Sequence, residues 1–457
     1  MYLIYSLLMG LAAVVVAPYW LIQGLRRGKY LANIGQRLGF SFPVLSNLAA
    51  DRPGAIWIHA VSVGEALSSV TLARRLKESF PNRPLVISTT TITGQAIVRE
   101  RMPFADGFLY FPLDWSFCVR RALRAVRPAA VLVLETEIWP NFLREAHNAN
   151  VPVIFVSGRI SDRSFARYQK YLRTFRFFLK PFLQRALANA RAFLMQSEQD
   201  AERIRALGAP RERVFVSGNL KYDMEAPAPT PLSQWLAAES QRRGRSPVIV
   251  AGSVVATEEE LALIAFGVVQ GEFPRALLVL APRKPERFEA AADFIHESHR
   301  KFVRRSQLAV AKPGQAAASS QANGAIADDV TVILLDSIGE LASVYRLADG
   351  AFVGGSLVPS GGHNILEPAA VGKIPVFGPS MENFSEIASR FVSAGAAIQV
   401  ESPEDVGVAW IELLRDPERL RRMGDTAKQL VDSSRGATDR ALAEIGKHLG
   451  ARVRGNG

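Results

Sequence analysis

The chain predicts two doubly wound α/β domains behind an N-terminal apolar helix. Three observations carry this: two series of short apolar strands alternating with helical patterns, a proline- and alanine-rich break between them, and an uncharged run at the start. The first strand series falls at 55–63, 84–88, 130–134, 152–157, 192–196 and 213–217. The second falls at 247–252, 276–281, 330–335, 350–354 and 374–378. Continuous β-branched runs, each followed by a helical pattern, indicate parallel strands buried on both faces. Two such series give two doubly wound domains. A length of 457 residues accommodates both.

The break at 223–246 reads as the interdomain linker. It separates a first domain, 26–222, from a second, 247–457, whose C-terminal helices are free to pack back on the first. Residues 311–328 are low in complexity and lack periodicity, so they read as a flexible loop of the second domain.

Residues 1–25 contain no charge. At about 1.5 Å per residue such a run can cross a hydrocarbon core of about 30 Å. Tyr2 and Tyr5 mark one end, Tyr19 and Trp20 the other, an aromatic-belt arrangement. Arg26, Arg27 and Lys29 follow, which predicts an outside N-terminus and a cytoplasmic body. A cleaved signal peptide would carry its charges before the run. A helix lying in the interface is the third reading; apolarity all round favours spanning.

The formal net charge of +12 favours anionic partners. Cys118 is the single cysteine, which excludes a disulfide framework and any cysteine-based metal centre within one chain.

In His59-Ala-Val-Ser-Val-Gly-Glu65 a strand ends and a helix begins near Glu65. Exposed N–H groups of a first turn stabilise a carboxylate, and the carboxyl ends of strands are where doubly wound folds keep their ligands. Glu65 is either a weakly basic general base or a helix-start glutamate that the dipole alone favours. After the strand VLVL come Glu135 and Glu137, which point the same way if the strand continues. Like charges that close require a cation, a proton or donors between them.

The segment 158–191 is basic and aromatic, with Tyr168, Tyr171, Phe175, Phe177, Phe178 and Phe182 among its arginines and lysines. It fits either an anionic lipid surface or an ordinary amphipathic helix with aromatics inward. A membrane anchor argues against a nucleic-acid partner.

In the second half, Arg283 and Lys284 follow the strand ALLVL, placed for a phosphate. Ser253 ends the strand VIVAG. In Gly354–Ala370, the glycines Gly361 and Gly362 let a ligand approach the backbone, a helix is expected to start near Asn364, and Glu367 sits in its first turn. A glutamate so placed suits ribose hydroxyls. The chain has no GxxxxGK[ST], GxGxxG or DxD motif.

Together the motifs HAVSVGE, STTTITG, FPLD, ETEIWPN, SGRISDRS, QSEQDAERI, GNLKYD, APRKPERF and GGSLVPSGGHNILEPAAVGKIPVFGP resemble those of the 3-deoxy-D-manno-octulosonic acid (Kdo) transferases of lipopolysaccharide synthesis. The resemblance runs in order from the anchor to about Glu386. It implies a GT-B glycosyltransferase: two Rossmann-like domains facing a cleft, the acceptor on the first and CMP-Kdo on the second. It implies inverting transfer to lipid IVA, a lipid A precursor, at the cytoplasmic face of the inner membrane. Glu65 would be the general base, assisted by Glu135 or Glu137. Ser253, Arg283, Lys284, Gly361, Gly362, His363, Asn364 and Glu367 would bind the donor. Lys221, Arg159 and Arg163 would hold the acceptor or its anions. CMP-Kdo is a substrate; neither a cofactor nor a metal is implied. Other classes are a soluble GT-B-like epimerase, which would lack the anchor, another lipid-acceptor glycosyltransferase, and a tethered nucleotide-binding protein that tolerates loss of Glu65.

Overall fold

A computed structural model describes residues 1–27, 33–42, 53–224, 227–308, 310 and 326–449, with side chains described over the same residues except 17–27 and 176. Two compact units form. One is Met1–Met224 with Ser434–Gly457; the other is Glu225–Ser433.

The first unit is built on a parallel sheet of β1 (Ala55–Ala60), β2 (Leu85–Thr89), β3 (Gly107–Tyr110), β4 (Pro128–Leu134), β5 (Val153–Gly158), β6 (Ala192–Met195) and β7 (Val214–Val216), ordered β3-β2-β1-β4-β5-β6-β7. Alternation along each strand feeds two cores. Trp57, Val131, Val133 and Phe155 face one layer, while Ile56, Ile58, Leu132 and Ile154 face the other. The order reverses direction between β1 and β4, and doubly wound sheets open a crevice at such a switch point.

The second unit repeats the plan with β8 (Val248–Val254), β9 (Leu277–Pro282), β10 (Lys301–Arg304), β11 (Val330–Leu334), β12 (Gly350–Val353), β13 (Pro375–Phe377) and β14 (Ile398–Gln399). Its order is β10-β11-β9-β8-β12-β13-β14, so its switch point lies between β8 and β12. Each segment read as a strand in the sequence falls on one of these strands.

The stretch expected as a linker is partly structured. Residues Pro231–Arg242 form a helix that opens with a Thr230–Ser233 capping box. It buries Leu232 and Leu236 against the second unit's core. Most of the loop expected at 311–328 lies outside the described residues; Ile326 is buried and its N–H donates to Glu239 Oε1 at 3.1 Å. The last helix, Ala437–Leu449, belongs to the first unit and packs Ala441, Leu442 and Ile445 into its core. Asp223 holds its start by accepting from the N–H of Gly436 at 2.7 Å and of Thr438.

The apolar run is helical over Tyr2–Arg27. Among the described residues no helix is long and apolar enough to cross a membrane. Tyr19 and Trp20, the expected second aromatic belt, lie outside the described side chains. The first turns are tied to the unit. Tyr5 Oη donates to Asp114 Oδ2 at 3.0 Å, Asn141 Nδ2 to Ser6 Oγ at 3.0 Å and Asn189 Nδ2 to Tyr2 Oη at 3.1 Å.

Candidate functional site

In the first unit, Glu65 follows β1 and Glu135 follows β4, the two strands that flank the switch point. Ser62 caps the helix Val63–Ser68 by accepting from the Glu65 N–H at 3.2 Å. The Glu65 side chain folds back, and its Oε2 accepts from the Val61 N–H at 2.8 Å. The Ser62 side chain also bonds the Glu65 carboxylate. The expectation of low basicity is corrected here. Burial, with the like charge of Glu135 next, raises the Glu65 carboxyl to about 7, and the two hydrogen bonds only partly oppose them.

Glu135 and Glu137 do not lie on one extended strand. β4 ends at Leu134, and Glu135 adopts a left-handed φ of 52°. Such a conformation costs a non-glycine residue about 1–3 kcal/mol and clusters at functional sites. The Glu137 carboxyl is raised by burial and then by Glu135.

The cation that the acid pair requires is Lys221, whose Nζ lies 3.9 Å from Glu135 Oε1. A chain of amides sets its place. At a bulge in β5, Ser157 has φ 56° and accepts from Gln196 Nε2 through its carbonyl at 2.9 Å. Gln196 Oε1 accepts from Asn219 Nδ2 at 2.8 Å, and Asn219 Oδ1 accepts from the Lys221 N–H at 2.9 Å.

Of the two arginines expected to bind anions, Arg159 adjoins this cluster. Its N–H donates to Thr136 Oγ1 at 2.9 Å, which joins the ends of β4 and β5. Arg163 is exposed on the helix Asp162–Thr174, and no described contact ties it to the acids.

Three further residues support the site, and of these only Arg37 lies outside the motifs of the sequence. Arg37 donates to the Thr90 carbonyl, lies 5.1 Å from the Tyr110 ring centroid and places positive charge near His59. His59 itself is fully buried, stacked at 3.7 Å on Phe111, and lowered to about 3 chiefly by burial. Asp114 of the FPLD motif accepts from the N–H groups of Asn141 at 3.1 Å and Phe142 at 2.7 Å, anchoring the helix Pro140–Asn148 that follows the acids.

In the second unit, Ser253 occupies a bulge at the end of β8 with φ 56°. The Arg283 N–H donates to the Val254 carbonyl at 2.8 Å, so its exposed side chain starts beside that bulge. Lys284 is 67% exposed and its Nζ lies 4.0 Å from Glu286. The His363 ring packs on Gly355, where an added Cβ would come within 2.9 Å of it. Burial, then Arg283, lowers His363 to about 4, so the ring is neutral. Its Nε2 is buried with no partner among the described residues.

The helix expected near Asn364 starts two residues on, at Leu366, and spans only Leu366–Ala369. Just ahead of it, Asn364 Oδ1 accepts from the Leu366 N–H at 3.1 Å, and Asn364 Nδ2 lies 3.5 Å from Glu367 Oε1. One turn aligns few peptide dipoles, so a phosphate would be met by side chains more than by this helix. Gly361 and Gly362 also do more than clear a path for a ligand. They adopt φ 86° and 71°, and added Cβ atoms would strike Asn383 at 2.4 Å and Met381 at 2.3 Å. The space beside them is protein.

Comparisons with known proteins agree with this arrangement. Residues 32–224 match the family described as 3-Deoxy-D-manno-octulosonic-acid transferase (kdotransferase). The 3-deoxy-D-manno-octulosonic acid transferase of Haemophilus influenzae is 32% identical over 92% of this chain and 92% of its own length. That of Bordetella pertussis is 31% identical over 86% of this chain and 87% of its own. A solved UDP-N-acetylglucosamine 2-epimerase shares the fold alone, at 14% identity and a TM-score of 0.54 over 89% of this chain and 99% of that one. With two parallel-sheet units, each carrying polar and charged groups at its switch point, and a full-length relative at 32% identity, this chain belongs to the 3-deoxy-D-manno-octulosonic acid transferase family.

Proposed function

We propose that the chain transfers Kdo from CMP-Kdo to a sugar hydroxyl of lipid IVA with inversion at the anomeric carbon. The observation that carries this reading is Glu65, a carboxyl raised to about 7 at the switch point of the first unit. A base of that strength takes a proton efficiently near neutral pH. As the acceptor oxygen bonds to the anomeric carbon, its proton passes to the Glu65 carboxylate. The bond from that carbon to the CMP phosphate oxygen breaks, and CMP leaves as an anion. Arg283 and the neutral His363 meet the departing phosphate, Ser253 and the Gly361–Gly362 turn shape its surroundings, and Glu367 with Asn364 holds the ribose. Glu135, held by Lys221, keeps the Glu65 carboxyl basic. Fixed cations suit a monophosphate leaving group.

The test is incubation with CMP-Kdo and lipid IVA followed by mass spectrometry. The expected product is heavier than the acceptor by one or more Kdo units. An unchanged acceptor with folded protein would reject the reading, and conversion of the sugar nucleotide alone would point to epimerase chemistry.

We also propose that the body sits on the cytoplasmic face of an anionic inner membrane, where such an acceptor resides. Supporting this, Leu3, Ile4, Leu7, Leu8, Leu11, Val14 and Val15 of the first helix are all at least 60% exposed. Phe165, Tyr168 and Leu172 of the basic segment pack inward on the core, but Phe177 and Phe178, near the Phe182 that docks on Tyr2, are 80% and 74% exposed. The first turn of the apolar helix is hydrogen-bonded to the body, and the Ile34–Arg37 helix beyond its other end is bonded to the same unit through Gln36 and Tyr110. Both ends on one unit fit a helix lying in the interface better than the single pass expected from its flanking charges.

Phe177→Ser combined with Phe178→Ser is expected to lower partition onto anionic vesicles by about tenfold or more, since burying each ring contributes about 1.5–3 kcal/mol. Transfer to detergent-dispersed acceptor should persist. A Leu3→Cys variant in spheroplasts should be labelled only after the membrane is permeabilised; labelling from outside would instead establish a single pass.

A further inference from the structure

The loop after β12 carries consecutive backbone N–H groups at the switch point of the second unit, an arrangement that would cradle a phosphate. A carboxylate of the chain already fills it. Glu258 is fully buried at the start of the helix Glu258–Glu272. Its Oε1 accepts from the N–H groups of Ser356 and Leu357, both at 2.9 Å. Its Oε2 accepts from the N–H of Gly355 at 2.5 Å and of Val255 at 3.1 Å. Four amide donors thus converge on one carboxylate.

We propose that Glu258 is a positioning residue of the donor site: a built-in anion that occupies the 355–357 amide nest and thereby sets Gly362 and His363. The proposal rests on the reading of the second unit as the CMP-sugar site. Transmission is short. The Gly355 carbonyl accepts from the Gly362 N–H at 2.7 Å, and the His363 ring packs against Gly355. The same loop is wedged against β8. An added Cβ on Gly354 would lie 2.5 Å from the Ser253 carbonyl, and the Gly354 N–H donates to the Gly252 carbonyl at 2.8 Å. Glu258 therefore fixes both sides of the switch point, and the donor phosphate must find its partners elsewhere, among side chains.

A carboxylate is required chemically. Both oxygens accept, two donors each. A glutamine offers one acceptor oxygen and turns an N–H₂ group toward the other two donors. Aspartate keeps both oxygens but withdraws them by one methylene. Glu259, the next residue, is paired instead with Arg287 at 2.8 Å and serves as an internal contrast, equally buried but not bonded to the loop.

The experiment uses the full chain, in wild-type form and as Glu258→Gln, Glu258→Asp and Glu259→Gln. Hydrogen exchange on the wild type comes first. The 355–357 amides, which lie outside helices and strands, should exchange at least a hundredfold more slowly than free loop amides; fast exchange overturns the clamp whatever the ligand is. Glu258→Gln should speed that exchange at least tenfold and raise the KM for CMP-Kdo at least tenfold, with the KM for acceptor unchanged within twofold. Glu258→Asp should restore part of the donor KM, whereas Glu259→Gln should lower thermal stability without a selective donor effect. Equal rises in both KM values, or the same donor effect from Glu259→Gln, would mean a merely structural role. Should the wild type itself bind no CMP in calorimetry, the donor reading fails, yet slow exchange that Glu258→Gln abolishes still upholds the clamp.

Discussion

Glu65→Gln is expected to lower kcat by about a thousandfold while CMP-Kdo binding stays within about twofold. Positioned general bases contribute about 10²–10⁴ in rate. Glutamine preserves the shape and can still accept from the Val61 N–H, the bond that orients the carboxylate, so folding should survive. The pH profile gives a second, independent reading. Burial and the like charge of Glu135 hold the Glu65 carboxyl at about 7. The basic form therefore exists above that pH and is lost as pH falls through it. Wild-type activity should rise with unit slope below pH 7 and level off above, and Glu65→Gln should lose that acid limb. Glu135 perturbs Glu65 more than Glu137 does. Glu135→Gln should therefore move the acid limb to lower pH, and Glu137→Gln should move it less. Near-normal turnover by Glu65→Gln, or a wild-type profile flat between pH 5 and 8, would remove Glu65 from the role of base.

The strand pattern was readable because the central strands are buried on both faces and so are written in continuous β-branched runs. Ile56, Trp57 and Ile58, or Val131, Leu132 and Val133, are each at most 1% exposed. The strands missing from the sequence reading, β3, β10 and β14, are all sheet edges. An edge strand has one neighbour and less burial; β10 and β14 contain no buried residue, so their sequences carry no apolar run. The site was half legible for a related reason. Glu65 and Glu135 stood out because each ends a strong strand. That they meet depends on β1 and β4 being neighbours, an adjacency that spacing along the chain does not encode. Lys221 reaches Glu135 through Ser157, Gln196 and Asn219, three strand ends that only the sheet order brings together. Glu258 carries no sequence signal: it sits in a Glu258-Glu259-Glu260 run typical of a solvated helix start, yet the first two are fully buried and the third is exposed. In the glycine loop the sequence shows small residues but not their neighbours: Asn383 and Met381 fill the space where side chains of residues 361 and 362 would lie.

Arg283→Ala is expected to lower kcat about 10²–10³-fold, and Lys284→Ala no more than about threefold. The sequence offers the two cations as equals, and both are exposed; their neighbours differ. Lys284 is 67% exposed and faces Glu286, so solvent and a counter-charge already screen it. Arg283 begins beside the Val254 carbonyl at the end of β8, and its charge is felt by His363. Groups aimed at charge that develops only as a leaving group departs act mainly on the transition state, and single donors of this kind contribute about 10²–10³ in kcat. The loss should therefore appear more in kcat than in the donor KM, because the ground-state phosphate is already anionic and is bound by several groups. His363 supplies a readout that does not depend on turnover. Burial is the larger cause of its depression and Arg283 the smaller. Removing the guanidinium should raise the imidazole above its value of about 4 while leaving it below the ordinary histidine range. NMR titration of His363 in wild type and Arg283→Ala measures this directly. An unchanged titration, or a Lys284→Ala loss as large as that of Arg283→Ala, would place the phosphate against Lys284 and the exposed rim instead of against the end of β8.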